Sequence, residues 1–225
     1  MRRETFEDQL KQLLDDLLAM GELVDQAIAQ SLQSLVQRDK ALARQVIDAD
    51  ERINRAERDL EEKCLVFIAS QTPLASDLRT AFSVATIANN LERMADHAKG
   101  VARIYLQMAD QPLLKPLVDI PRMVEKDRHM LREQLRAFVA RDIATAKRLA
   151  AEDDEVDQLY DQIYRELLIF MMQDPRTISR ATYLLLIAHA LERIGDRTTN
   201  IAERTVFLLT GEIEELNVQP AGRDE

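Results

Sequence analysis

The chain has 225 residues, enough to bury a substantial core. Only five Gly and six Pro, with 46% apolar and 31% charged residues, fit an all-helical protein. Thirty Lys and Arg against forty Asp and Glu leave a net charge of −10, which weighs against binding nucleic acid or a membrane surface through clustered basic charge. The opening Met1-Arg2-Arg3-Glu4 lacks an apolar segment of the secretory kind, and no run of 18 apolar residues exists. A cytoplasmic protein without membrane insertion is expected. Cys64 is the single cysteine, so an internal disulfide and a Cys-rich zinc site are excluded; its apolar neighbours predict burial.

Six helical patterns follow along the chain. The first covers about 6–37, with Leu10, Leu14, Leu17, Val24, Ile28 and Leu35 at helical spacing. Asp39 is placed to cap the second, which runs to about residue 70. Pro73 marks a turn into the third, about 76–108, with Ser76 or Asp77 as its cap. Pro112, Pro116 and Pro121 mark a joint. The plan then repeats: about 122–140, about 142–173, a turn at Asp174-Pro175, and about 177–209, ended by Thr210-Gly211. The expected division is 1–113, 114–212 and a polar tail, 213–225.

The two halves are similar in sequence. Val36, Arg38, Asp39, Ala41, Ala43, Asp50 and Ile53 stand in register with Val139, Arg141, Asp142, Ala144, Ala146, Asp153 and Val156. Pro73 matches Pro175, and Leu91-Glu92-Arg93-Met94-Ala95-Asp96 matches Leu191-Glu192-Arg193-Ile194-Gly195-Asp196. A tandem duplication explains both. In the third helix, Val84, Ile87, Leu91, Met94, Ala98, Val101, Tyr105 and Met108 form a heptad stripe. The sixth repeats it with Leu184, Ile187, Leu191, Ile194, Thr198, Ile201, Thr205 and Leu208. The heptad puts Glu92 and Asp96, and likewise Glu192, Asp196 and Asn200, on an outer stripe away from the seam.

Glu92/Asp96, Glu192/Asp196 and Asp153/Asp157 are acidic pairs four residues apart, and like charges at that spacing repel. Antiparallel pairing about Pro175 brings Asp153/Asp157 level with Glu192/Asp196, and in the first half Asp50 and Asn54 level with Asp96. Two carboxylate pairs from adjacent helices suit a hard cation such as iron, manganese, magnesium or calcium. Spacing alone is equally met by a solvated acidic face. His97 tops a polar face, His189 shares the face of Glu192, and His129 reads as surface. No Gly-x-Ser-x-Gly elbow, phosphate-cradling glycine loop or basic pocket is legible. No Glu has a His three residues later, as a di-iron carboxylate site requires. A metal-storage protein, a carboxylate metalloenzyme and a plain helical scaffold are the rival readings.

The doubled Leu-Glu-Arg-(Met/Ile)-(Ala/Gly)-Asp, set in a duplicated three-helix plan, resembles the PhoU family of phosphate-signalling regulators. Pro73 with Asp77-Leu78-Arg79, Asp153-x-x-Val156-Asp157-x-Leu159-Tyr160, Glu166-Leu167-Leu168 and Asp174-Pro175 add to the likeness, which spans about residues 4–212. The resemblance implies two three-helix bundles related by pseudo-twofold symmetry. It implies a non-enzymatic adaptor, often dimeric, between the ATPase of a phosphate ABC transporter and a phosphate-sensing histidine kinase, which holds the starvation response off when phosphate is plentiful. Some members carry multinuclear iron or another divalent metal on their surface; no organic cofactor is implied. On this chain the metal residues fall at Glu192, Asp196 and Asn200 with Asp153 and Asp157, and at Glu92 and Asp96 with Asp50. Gly100, Arg103 and Asn54 stand where the second half has Asn200, Glu203 and Asp157, so the first site is expected to hold metal more weakly or not at all.

Overall fold

In a computed structural model, which describes residues 2–216 and the side chains from residue 6 onward, the chain folds as α-helices without a strand among those residues. The order is α1 (Arg2–Gln37), α2 (Lys40–Gln71), α3 (Ala75–Met108), α4 (Asp119–Ala140), α5 (Ile143–Ala150), α6 (Asp153–Gln173) and α7 (Ile178–Thr210). A short 3-10 turn, Pro175–Thr177, joins α6 to α7. The tail expected at 213–225 lies outside the described residues from 217 on.

Local chemistry sets most boundaries. Asp39 caps α2 as expected, accepting from the backbone N–H of Ala41 at 2.8 Å and of Leu42 at 3.0 Å. Asp142 and Asp174 repeat the device, accepting from Thr145 N and Arg176 N. Gly211 at φ 79 ends α7 in the left-handed conformation that a Cβ disfavours. Two expectations are corrected. Neither Ser76 nor Asp77 caps α3: the helix begins at Ala75 after Leu74, which gives no side-chain cap, and Asp77 sits in the first turn, where its charge faces the helix N-terminus. The fifth helix is not continuous but breaks after Ala150. The cause is the acidic run Glu152-Asp153-Asp154-Glu155, which is unfavourable inside a helix yet favourable in a first turn. The first half has Ala49 and Arg52 at the matching places and stays helical. Arg148 and Lys126 reach Glu152 at 2.7 and 3.0 Å and hold the bend.

Both heptad stripes are buried along their whole length, including Thr198 and Thr205, whose hydroxyls donate to Gly195 O and Ile201 O. Each large apolar side chain so buried contributes roughly 1.5–3 kcal/mol. Cys64 is buried as expected, and burial pushes its thiol up to about 11. Helices α1, α2 and α3 pack together, as do α4, α6 and α7, with α5 against α4 and α7. The halves meet through their counterparts, α3 on α7 and α1 on α4, as a twofold relation requires. The α3–α7 crossing is antiparallel: Arg79 Nε donates to Leu208 O, and Phe82 meets Phe207 edge-on. At the α1–α4 crossing Arg128 grips Asp25 with two hydrogen bonds of 2.8 Å, and Arg132 adds a third at 3.0 Å. One continuous apolar core runs through both halves, from Leu13 to Leu208.

Candidate functional site

The second-half acids converge on the middle of α7. Asp153 and Asp157 come from α6, and Glu192 and Asp196 from α7. A fifth, Asp127, comes from α4. A Cβ added to Gly195 would lie 2.5 Å from Asp153 Oδ1 and 3.4 Å from Asp127 Oδ1, so both carboxylates are aimed at this stretch of bare backbone. The level pairing of α6 with α7 is thus as expected. The outer stripe is not: the side chains of Glu192 and Asp196 are only 14% and 19% exposed, and Asp153 and Asp127 are buried. Heptad reasoning provided for one seam, whereas α7 is covered by α3, α4, α5 and α6.

Burial and mutual repulsion raise the proton affinity of Asp127, Asp153, Glu192 and Asp196. Asp153 is pushed up to about 8 by burial first, then by Asp157, Asp196 and Glu192. Glu192 is pushed up to about 7 by burial and Asp196. Asp127 is raised well above the ordinary carboxylate range by burial, then by Asp153, Glu192 and Asp196. Both oxygens of Asp127 are buried without a hydrogen-bond partner among the described residues. His189 Nδ1 stands 3.4 Å from Glu192 Oε2, which fits the shared face expected for it.

Glycine is required at 195 and not at 100. Gly195→Ala is expected to lower stability by about 1–3 kcal/mol through the clash with Asp153. Gly100 has open space around its Cβ position, so Gly100→Ala is expected to raise stability by roughly 0.5–1 kcal/mol. Thermal melts of the two variants check the pair; a shift of the same sign in both refutes it.

The first-half site is built differently. Lys99 Nζ bridges Asp50 Oδ2 and Asp96 Oδ1, each at 2.5 Å, and Asn54 donates to Asp50 at 3.3 Å. Glu92 lies beside them, its carboxyl raised by burial, Asp96 and Glu57. The ammonium stands where a cation would. The second half has Thr199 in place of Lys99, and its hydroxyl turns to Asp196 O. Val24 stands where the second half has Asp127. Lys99→Met is expected to cost about 1–2 kcal/mol by leaving Asp50 buried beside Asp96 without its cation. Denaturant unfolding measures this, and an unchanged midpoint speaks against a bridging role.

Asp127 was missed by spacing arguments because no acidic partner lies four residues away. The signal was present in another form: it interrupts the apolar face Met123, Val124, Met130, Leu131, at the register of an apolar Val24. Asn200 does not join the carboxylates; its amide donates to Asn90 Oδ1 across the α3–α7 seam at 3.2 Å. Among the described residues, no three His, Cys, Asp or Glu side chains stand preformed as a metal-ligand array. The chemistry of the second site nevertheless fits a hard cation: several oxygens, a buried acid with no partner, and raised proton affinities that a cation would relieve.

Two helical repeats joined through their third helices, with carboxylates gathered along one of them, define a duplicated helical-bundle protein. The sequence pattern of the PhoU domain matches residues 17–105 and 120–205, and the chain belongs to the PhoU family. The chain is 35% identical over 218 residues to the phosphate-specific transport system accessory protein PhoU homolog of Clostridium acetobutylicum, covering 96% of this chain and all of that one. The crystal structure of PhoU from Pseudomonas aeruginosa superposes with a TM-score of 0.87 at 36% identity, over 92% of this chain and 100% of the other. The phosphate transport system regulatory protein PhoU from Streptococcus pneumoniae gives 0.86 at 33% identity, over 93% and 99%.

Proposed function

We propose that this protein is a non-enzymatic regulator of phosphate transport that works by contact. The relatives' names as accessory and regulatory proteins of phosphate transport support the biological role. The observation that carries the contact mechanism is a pair of exposed apolar ends at matching places of the two halves. Leu74, Leu78 and Phe82 are exposed after the α2–α3 turn, and Ile169, Met172 and Ile178 around the α6–α7 turn. Exposed apolar clusters of this kind serve association with other proteins. In this reading each repeat, 1–113 and 114–212, offers one such end. The partners are the transporter ATPase and the phosphate-sensing kinase, met in the cytoplasm, and a second copy of the chain is a further partner. No helix among the described residues is long and apolar enough to cross a membrane.

Asp127, Asp153, Asp157, Glu192 and Asp196 would hold a divalent cation, with iron the form that the resemblance implies. Bound there, the cation supplies positive charge that fixes α4, α6 and α7 relative to one another. The first site, with Lys99 already in place, would hold it more weakly. Metal analysis of Glu192→Ala/Asp196→Ala tests the assignment; metal retained at the unmutated level refutes it.

A phosphate-starvation reporter in a deletion strain tests the function. With abundant phosphate the reporter is expected to be on in the deletion and silent again when the intact gene is restored. A reporter silent in the deletion strain overturns the regulatory reading. Leu74→Asp and Met172→Asp, in the same strain, are expected to leave the reporter on while the protein stays folded.

A further inference from the structure

The outer helices of the two halves, α2 and α6, carry the same apolar stripe with opposite charge. In the register of the repeats, Glu62, Val66 and Ala69 of α2 are the counterparts of Arg165, Ile169 and Met172 of α6. Residues at this spacing share one helix face. That face is open on both helices: Val66 is 57% exposed, Ile169 54% and Met172 84%. Leu65 and Leu168 add an exposed apolar side chain at the same place in each half. One turn earlier, Arg58 stands where α6 has Asp161. The apolar character is kept between the halves and the charge is reversed.

The shapes of the two flanks differ as well. The first half has a groove of about 490 Å³ between α1 and α2, in which the buried Leu13 and Phe67 join Val66 and Glu62. It exists because α1 runs on through these turns. In the second half Pro112 and Pro116 of the joint stand where α1 has Gln9 and Leu13, and α4 begins only at Asp119. Lys63 in the groove wall is held by Asp16 of α1 at 2.7 Å. Glu62 has no ion-pair partner among the described residues. The second half projects side chains instead. Met172 stands where α2 has the small Ala69, and the Arg165 side chain is 75% exposed, with Asp161 no closer than 3.6 Å.

We propose that the α1–α2 groove of one copy receives the α6 face of a second copy. Ile169 and Met172 enter the groove against Leu13, Val66 and Phe67, and Arg165 meets Glu62. Removing these apolar side chains from water supplies the attraction, and the charges select the face. Like flanks repel, because Glu62 would then face Glu62, or Arg165 face Arg165. The contact therefore joins unlike faces and is heterologous. It deepens the contact reading, on which it rests, by naming the surfaces through which a second copy is met.

Sedimentation velocity of the full chain over a concentration series tests it, with Glu62→Arg, Arg165→Glu and the double variant Glu62→Arg/Arg165→Glu. The unmutated chain is expected to associate reversibly as its concentration rises. Both positions are exposed, so each variant is expected to keep its helicity, which circular dichroism checks. Each single variant alone is expected to lose at least tenfold in association, because it sets like charges together. The two single variants mixed in equal amounts are expected to associate again, as is the double variant, because a groove then finds a face of opposite charge. A chain that stays monomeric at every concentration, a single variant that associates as the unmutated chain does, or a mixture that stays monomeric overturns the proposal. The reporter experiment decides the regulatory reading separately: a monomeric chain that still silences the reporter overturns this contact and leaves that reading standing.

Discussion

Asp127→Val is expected to raise the stability of the metal-free protein by roughly 1–3 kcal/mol, the cost of a buried polar group left without a partner. Most substitutions of a fully buried residue destabilise, so the sign is the informative part. Valine is the replacement that the chain itself supplies: Val24, at the same place in the first half, is fully buried in the same core. Removing Asp127 also relieves Asp153, whose carboxylate faces the same Gly195 backbone. If manganese or ferrous ion binds as proposed, its stabilising effect on the unmutated protein is expected to be mostly lost in the variant, because one oxygen donor is gone. Thermal unfolding with chelator and with metal measures both effects. A Tm that falls in chelator would show that Asp127 is satisfied in a way its surroundings do not reveal.

The second large effect is on pH. In the unfolded chain, Asp127, Asp153 and Glu192 titrate near the ordinary carboxylate values of about 4. In the fold Asp153 is pushed up to about 8, Glu192 to about 7, and Asp127 is raised as well. Between those limits the folded protein binds more protons than the unfolded chain, so stability falls as pH rises. The metal-free protein is therefore expected to be more stable at pH 5.5 than at pH 8.5, by on the order of 2–4 kcal/mol. The carboxylates that the fold holds low, Asp142 at its cap and Asp174 beside Arg176, act below about pH 4 and leave this window alone. Saturating divalent cation is expected to flatten the profile, since it replaces the protons. Calorimetric melts across the range check the slope; a Tm that rises toward pH 8.5 in chelator contradicts the acidic cluster as described.

What was legible in the sequence is what a single helix determines by itself. The stripes Val84 to Met108 and Leu184 to Leu208 follow from apolar spacing, and all their members are buried. Asp39 is legible as a cap because a short acceptor before a helical run satisfies its orphan N–H groups locally, and Asp142, its counterpart in the second half, caps α5 in the same way. The level of Asp153 against Gly195 followed from the turn at Pro175, because two antiparallel helices fix each other's register. Features made by three helices at once were hidden. Asp127 needed the position of α4, and the covering of Glu192 and Asp196 needed all the neighbours of α7. The bend after Ala150 lay in between: its acidic run was visible, but its effect depended on Arg148 and Lys126 taking hold of Glu152.

The contact between α1 and α4 bears on the history of the duplication. Asp25 and Arg128 occupy the same place in their respective halves, and they now hold each other. Two first halves brought together in this way would set Asp25 against Asp25. Two second halves would set Arg128 against Arg128, with Arg132 beside each. A single ancestral repeat pairing with its twin would have been free of this distinction, but the present halves reject their own kind and accept only each other. The fused chain is thereby committed: neither half can be exchanged for a second copy of its sister, and a swapped assembly between two chains preserves the contact only if it pairs a first half with a second.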